Sequence, residues 1–248
     1  MSKTTFSNLY NQTSQKTPPS QQTPALAAVT QSIYGKSYPR FSCFLLPPAS
    51  PLNFPLGKAL IERQSLRKNI SQGIPNIKQL SSLFFYGAGI KSLPNKERSF
   101  PRRTYPSGGG RYPLEIYLYL RKPIRPLDSG VYHYQVQIHA LERLPIMCDD
   151  QILKKEIFGS VNGYWLKDCW GAIFVSAVFQ RTEIKYGSAS FRYIFLEGGH
   201  LMQNIYLATT ALKLGCCSLG GFEDKKINNL LSLDTKKEVV IYCANLVA

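Results

Sequence analysis

Arg102-Arg103-Thr104-Tyr105-Pro106-Ser107-Gly108-Gly109-Gly110-Arg111-Tyr112-Pro113-Leu114-Glu115-Ile116-Tyr117-Leu118-Tyr119 joins two patterns of different kind. From Leu114 the residues alternate. Leu114, Ile116, Leu118 and Leu120 share one side, and Glu115, Tyr117 and Tyr119 share the other. A period of two belongs to a strand with one face in a core, so a half-buried β-strand is predicted from Leu114. Ahead of it, Pro106-Ser107-Gly108-Gly109-Gly110 has nothing to bury. Glycine loses more conformational freedom on folding than any other residue. Three in a row need a reason, such as positive φ or backbone brought close to a ligand. With Arg102, Arg103 and Arg111 around it, the loop can offer N–H donors and positive charge to a planar, electron-rich or phosphorylated ligand. Taken alone it is equally a plain loop before a strand.

Upstream, residues 56–62 read as a short helix, followed by Arg63-Gln64-Ser65-Leu66-Arg67. In extended backbone Arg63, Ser65 and Arg67 face one way. Two guanidiniums and a hydroxyl on one face suit a phosphate, which Arg binds bidentately, though a solvated basic turn has the same composition. Ile77, Leu80, Leu83 and Phe84 make a helical stripe over 77–86, with Gly87 and Gly89 ending it. A polar loop at 93–100 leads into the opening stretch.

Downstream, 131–138 reads as a strand paired with the first, and 151–158 as a helix capped by Asp149 or Asp150. The apolar run 171–179 reads as a central strand. Ser190 is expected to cap the longest helix, 191–214, with Gly215 as its C′ residue. Gly198 and Gly199 lie inside that helix and mark close packing or a ligand surface. A short helix at 224–231 and a strand at 238–247 close the chain. Helices and strands interleave without a β-α-β repeat, so the expected class is α+β with a mostly antiparallel central sheet flanked by helices.

The chain has 248 residues, enough for a full core. Its formal net charge of +15 favours anionic partners: phosphate cofactors, acidic peptides, nucleic acid or an anionic surface. The six cysteines contain no C-x-x-C pair, so buried free thiols are expected rather than a zinc site or a disulfide framework. His133, His139 and His200 have no metal spacing, and a packing role is expected for His200. Glu197 either serves a pocket or caps a neighbouring Arg, the second being the expectation. No apolar segment is long enough to span a bilayer, and a cytoplasmic protein without membrane partners is expected. Residues 1–30, rich in Ser, Thr, Gln and Pro, read as a disordered tail. Five prolines over 37–55 suggest an extended arm rather than a regular element. The division is therefore 1–55, tail and arm, and 56–248, a folded domain.

The order of these stretches resembles the FMN-dependent nitroreductase superfamily, and more closely its SagB/ThcOx-type branch, which oxidises azolines to thiazoles and oxazoles in ribosomal peptides. The carrying residues are Arg63 to Arg67, Arg102 to Glu115, Val131-Tyr132-His133-Tyr134, Lys185-Tyr186, Arg192 with Leu196-Glu197-Gly198-Gly199-His200, Gln203-Asn204 and Gly220-Gly221-Phe222. The resemblance implies a homodimer with FMN at the interface. Arg63, Ser65 and Arg67 would hold the phosphate and ribityl chain. Pro106, Ser107, Gly108 and Gly109 would lie along the isoalloxazine, with Gly220 and Gly221 on its other side. Lys185 and Tyr186 would be the catalytic pair, and Lys185 the base, its pKa lowered by burial. The substrate would be an azoline-containing precursor peptide, with a cyclodehydratase as a further partner, and nucleic acid is not the partner expected. The branch usually carries an Arg-Gly where this chain has Ala189-Ser190. Two other readings remain open. One is a generic flavin nitroreductase or quinone reductase using a nicotinamide donor. The other is a basic binding module without catalysis.

Overall fold

The computed structural model describes residues 35–68, 73–93, 101–159 and 163–248. The tail expected over 1–30 lies outside these residues, as does most of the polar loop at 93–100. In chain order the strands and helices are β1 (Cys43–Leu45), α1 (Leu56–Glu62), α2 (Ile77–Ala88), β2 (Ile90–Ser92), β3 (Arg102–Arg103), β4 (Leu114–Leu120), β5 (Gly130–Gln135), β6 (Ala140–Arg143), β7 (Gly171–Val178), α3 (Gln180–Tyr186), α4 (Ser190–Ala211), β8 (Gly215–Leu219), α5 (Asp224–Leu230) and β9 (Glu238–Val247). Seven strands form one sheet in the order β1-β6-β5-β4-β7-β9-β8, with every neighbouring pair antiparallel. The class is α+β, as the interleaved pattern predicts. Strand β4 is the middle of the sheet, with Tyr117 opposite His133 on β5 and Glu115 opposite Ser176 on β7.

All seven residues of β4 are buried, which corrects the expectation of a half-buried strand. Leu114, Ile116, Leu118 and Leu120 pack with Leu80, Leu83 and Phe84 of α2 and with Ile194, Leu201 and Ile205 of α4. Tyr117 and Tyr119 enter a second apolar layer with Leu153, Phe158, Phe174 and Ile227. The polar side chains on that face find partners instead of water. His133 places Nδ1 2.8 Å from Glu142 and Nε2 3.1 Å from Glu115. Tyr117 donates to Glu238 at 2.9 Å, and Lys36 Nζ reaches Glu238 at 2.7 Å. Lys36 belongs to the approach to the proline-rich arm. That arm is not wholly irregular, because its residues 43–45 pair with β6 as edge strand β1.

Local details differ from the periodicity in four places. Helix α2 opens on a reciprocal Asn76–Gln79 capping box and runs through Gly87, where a Cβ would lie 3.1 Å from Ile205, to Ala88. Ser190 is the buried first residue of α4 and makes no cap. Gly215 is not a C′ residue. It starts β8, where Val247 and Leu66 leave no room for a Cβ, and Lys213 takes the left-handed turn at φ 58°. Residues 152–157 form a π-helical turn capped by Asp149, whose Oδ1 accepts the Ile152 N–H at 2.8 Å. Among the described residues no helix is long and apolar enough to cross a membrane.

Candidate active site

The Gly-rich loop is a tight turn wedged between the end of α3 and the first turns of α4. Gly109 has φ 63° and Gly110 φ 66°, a region that disfavours any side chain. Close approach adds to this: a Cβ on Gly109 would lie 2.7 Å from Tyr186 Oη and 2.8 Å from Lys185 Nζ. One on Gly108 would lie 3.2 Å from the Tyr193 ring. Positive φ, one of the two reasons offered by the sequence, is therefore met, and the close approach seen is to the chain's own side chains. The loop is held by the Tyr112 N–H, which donates to Ser107 Oγ at 2.8 Å, and by the Gly108 N–H, which donates to Glu197 Oε1 at 2.9 Å.

Lys185 and Tyr186 end α3, so the pair sits on a helix. Arg181, one turn earlier, pairs with the Glu115 carboxylate and donates to the Tyr112 carbonyl at 3.1 Å. It thereby clamps α3 to the segment that leads from the Gly-rich stretch into β4. Tyr186 packs against Tyr193 in a tilted arrangement, ring centroids 4.4 Å apart. Burial raises its pKa, and Tyr193 and Glu197 add to the rise against Arg111, so at neutral pH it is a phenol able to donate a hydrogen bond. Lys185 is exposed in the single chain, not buried as expected, with Nζ over the Tyr186 ring at 5.5 Å.

A second cluster gathers on β8. Ser65 bridges to Cys216 in parallel, and the Leu66 N–H donates to the Cys216 carbonyl at 2.9 Å. Ser65 Oγ and Ser218 Oγ each lie 3.1 Å from Tyr206 Oη, which also accepts the Ser218 N–H at 2.8 Å. The Arg63 guanidinium lies over the Tyr206 ring at 5.2 Å. Arg67 is near enough to Cys217 to oppose the rise that burial gives its thiol. Gly220 and Gly221 follow β8 directly and are exposed, and a Cβ on Gly220 would meet open space.

Helix α4 carries parts of both clusters: Tyr193 and Glu197 beside the loop, and Tyr206 nine residues beyond Glu197, about 13.5 Å along the axis. Tyr206 and Ser218 were not singled out by the sequence. Tyr206 stands next to Ile205 on the long helix with nothing in its spacing to mark it, and Ser218 follows two cysteines without alternation. Glu197 takes the Gly108 N–H as its partner, not the arginine expected. His200 is exposed on α4, contrary to the packing role expected. Four of the six cysteines are buried free thiols, while Cys43 is exposed and Cys148 partly so. Among the described residues no three His, Cys, Asp or Glu side chains are grouped to hold a metal ion.

The sequence profile described as the nitroreductase family matches residues 61–246. MJ1384 of Methanocaldococcus jannaschii, named as a nitroreductase, is 32% identical over 178 residues, covering 72% of this chain and 84% of that protein. The trifolitoxin-processing protein TfxB of Rhizobium leguminosarum bv. trifolii is 28% identical over 54% of this chain and 36% of its own length. The microcin B17-processing protein McbC of Escherichia coli is 28% identical over 59% of this chain and 54% of its own. The match thus leaves almost half of McbC, and more of TfxB, without a counterpart. Among solved structures, a nitroreductase from Anabaena variabilis superposes with TM-score 0.73 at 27% identity, covering 97% of this chain and 45% of that one. A chain of the E. coli microcin synthetase McbBCD complex shares the fold, with TM-score 0.61 at 19% identity over 92% of this chain and 99% of that one.

Proposed function

Because the chain belongs to the nitroreductase family, whose members are oxidoreductases that typically bind flavin, we propose that it is an FMN-dependent dehydrogenase of azoline rings in a ribosomally made peptide. The observation that carries this reading is the seating of Lys185 Nζ and Tyr186 Oη against Gly109. The pair assigned to proton handling meets the loop assigned to the flavin. Likeness to two peptide-processing proteins, TfxB and McbC, supports the substrate class.

The residues present fit FMN. Arg63, Ser65 and Arg67, with Tyr206 and Ser218 behind Ser65, make a donor set suited to its phosphate. The Gly-rich loop has no room for a Cβ at Gly109, and around it Arg111 Nε and Glu197 Oε2 are buried without hydrogen-bond partners. Bound FMN would supply the hydride acceptor. The rest falls to the chain: Lys185 Nζ takes the ring-carbon proton, and the Tyr186 phenol orients the ring through a hydrogen bond.

The same reading includes a homodimer. Phe191, Phe195 and Leu196 of α4 are 45%, 55% and 55% exposed, an apolar face that begins just after the Lys185–Tyr186 pair. It also includes a cyclodehydratase as partner. The experiment is flavin reduction without oxygen. An azoline-bearing peptide should bleach the flavin. Bleaching by NADH or NADPH with none from the peptide would favour a generic flavin reductase. A protein that binds no flavin would favour the binding module suggested by the charge of +15.

A further inference from the structure

Glu197 is buried on α4 with one oxygen engaged and one idle. It is 3% exposed. Oε1 accepts the Gly108 N–H at 2.9 Å, whereas Oε2 is buried with no hydrogen-bond partner. Burying a carboxylate is costly unless partners compensate, and here compensation is partial. Burial pushes its pKa up to about 7, against the opposing Gly108 N–H, the Ser107 hydroxyl and the more distant Arg103. Tyr105 and the Tyr186 phenol also lie within its field. The helix itself packs closely there: a Cβ on Gly198 would lie only 3.3 Å from the Ile241 side chain on β9.

We infer that Glu197 is a positioning residue whose ionised carboxylate locks the Gly108–Gly110 turn against Lys185 and Tyr186, so that flavin affinity depends on its proton. The inference rests on the flavin reading above. The physical step is short. A hydrogen bond to an ionised acceptor is roughly twice as strong as one to a neutral acceptor. Fixing Gly108 fixes Gly109, the residue in contact with both members of the pair. Any ligand that prefers the locked turn is then bound more tightly when Glu197 is ionised, and by reciprocity its binding favours loss of that proton.

The test is the FMN dissociation constant of the full chain, read by quenching of flavin fluorescence from about pH 5.5 to 8.5. Wild type is compared with Glu197→Gln, which keeps an acceptor oxygen but cannot ionise, and with Glu197→Ala, which has neither. The Gln-to-wild-type ratio of dissociation constants should be near one at the acid end and rise to about fivefold at the alkaline end, the worth of a modest hydrogen-bond difference. The phosphate of FMN titrates near pH 6, but it does so in both proteins and cancels in the ratio. Glu197→Ala should bind weakly at every pH. A ratio that does not change with pH, or an Ala variant as tight as wild type, overturns the inference while leaving the flavin reading intact. Wild type that binds no FMN at any pH overturns both. If the Ala variant fails to fold, the Gln ratio alone decides.

Discussion

Gly109 and Lys185 meet at contact distance: a Cβ on residue 109 would stand 2.8 Å from Lys185 Nζ, and Tyr186 Oη would be nearer still at 2.7 Å. The backbone of residue 109 is in the left-handed region at φ 63°. An alanine there has both a conformational cost and a steric one, and the steric one falls on the two side chains assigned to chemistry. Gly109→Ala should therefore cost about 1–2 kcal/mol in backbone strain, a drop in thermal midpoint of a few degrees. Dehydrogenation should be lost well before stability is. Melting curves beside activity measurements check this, and a fully active Gly109→Ala enzyme would contradict the assigned geometry.

At the other cluster the prediction separates phosphate from ring. Arg63 lies over Tyr206, whose hydroxyl meets those of both Ser65 and Ser218. Arg63→Gln and Arg67→Gln should each weaken FMN by about tenfold or more, the worth of a hydrogen bond to a charged group. Riboflavin, which lacks the phosphate, should bind these variants as it binds wild type. Titration of both flavins checks this. Equal losses for the two would move the phosphate elsewhere.

The buried sheet network sets a pH window for stability. Both His133 nitrogens face carboxylates, so the doubly protonated ring satisfies both. Burial works against that charge, but the bonds to Glu115 and Glu142 outweigh it and raise its pKa. For Glu115, burial pushes upward, yet Arg181 and His133 outweigh it and hold the carboxyl well below the usual range. A raised His stabilises fully below its unfolded value, near 6.5, and loses that contribution as pH climbs through its folded value. A depressed Glu stabilises above its unfolded value, near 4.3, and loses the contribution as pH falls further. The network should thus contribute most between about pH 4.3 and 6.5. His133→Gln should destabilise by about 3 kcal/mol and lose the alkaline part of the decline. Thermal melts across pH read this directly, and an unchanged alkaline slope would exclude His133.

How much of this was legible depends on the kind of pattern involved. The alternation from Leu114 marks the first residue of β4, and the Gly-rich run announces the loop. Alternation alone does not reveal that the polar face of β4 is covered too, because its partners Lys36, His133 and Glu238 come from other parts of the chain. Strand β8, Gly-Cys-Cys-Ser-Leu, is short and without alternation, so its pairing with β9 and its bridge to Ser65 were invisible. With β8 unseen, Tyr206 and Ser218 had no site to belong to. Glu197 was weighed against the wrong partner, since an arginine is the commoner mate for a buried glutamate and a loop N–H eighty-nine residues away leaves no trace in spacing.

A charge on the exposed face of α4 tests the proposed assembly. Phe195 is 55% exposed next to Leu196. Phe195→Glu should convert a dimer to a monomer and release flavin, with little change in folding, since the side chain is not part of the core of the single chain. Light scattering coupled to size exclusion, with absorbance for flavin, gives the answer. A flavin-loaded monomer of wild type would contradict the interface reading.

The most direct measurement is the mass of a cyclised, azoline-bearing peptide after incubation with FMN-loaded wild type and with Lys185→Ala. Wild type should lower the mass by about 2 Da for each ring converted, the two hydrogens leaving the substrate. Lys185→Ala should give no such loss while its flavin content stays that of wild type, because Lys185 is assigned to the proton and not to the cofactor. Full conversion by Lys185→Ala, or unchanged peptide with wild type while nicotinamide is oxidised briskly, would contradict the account.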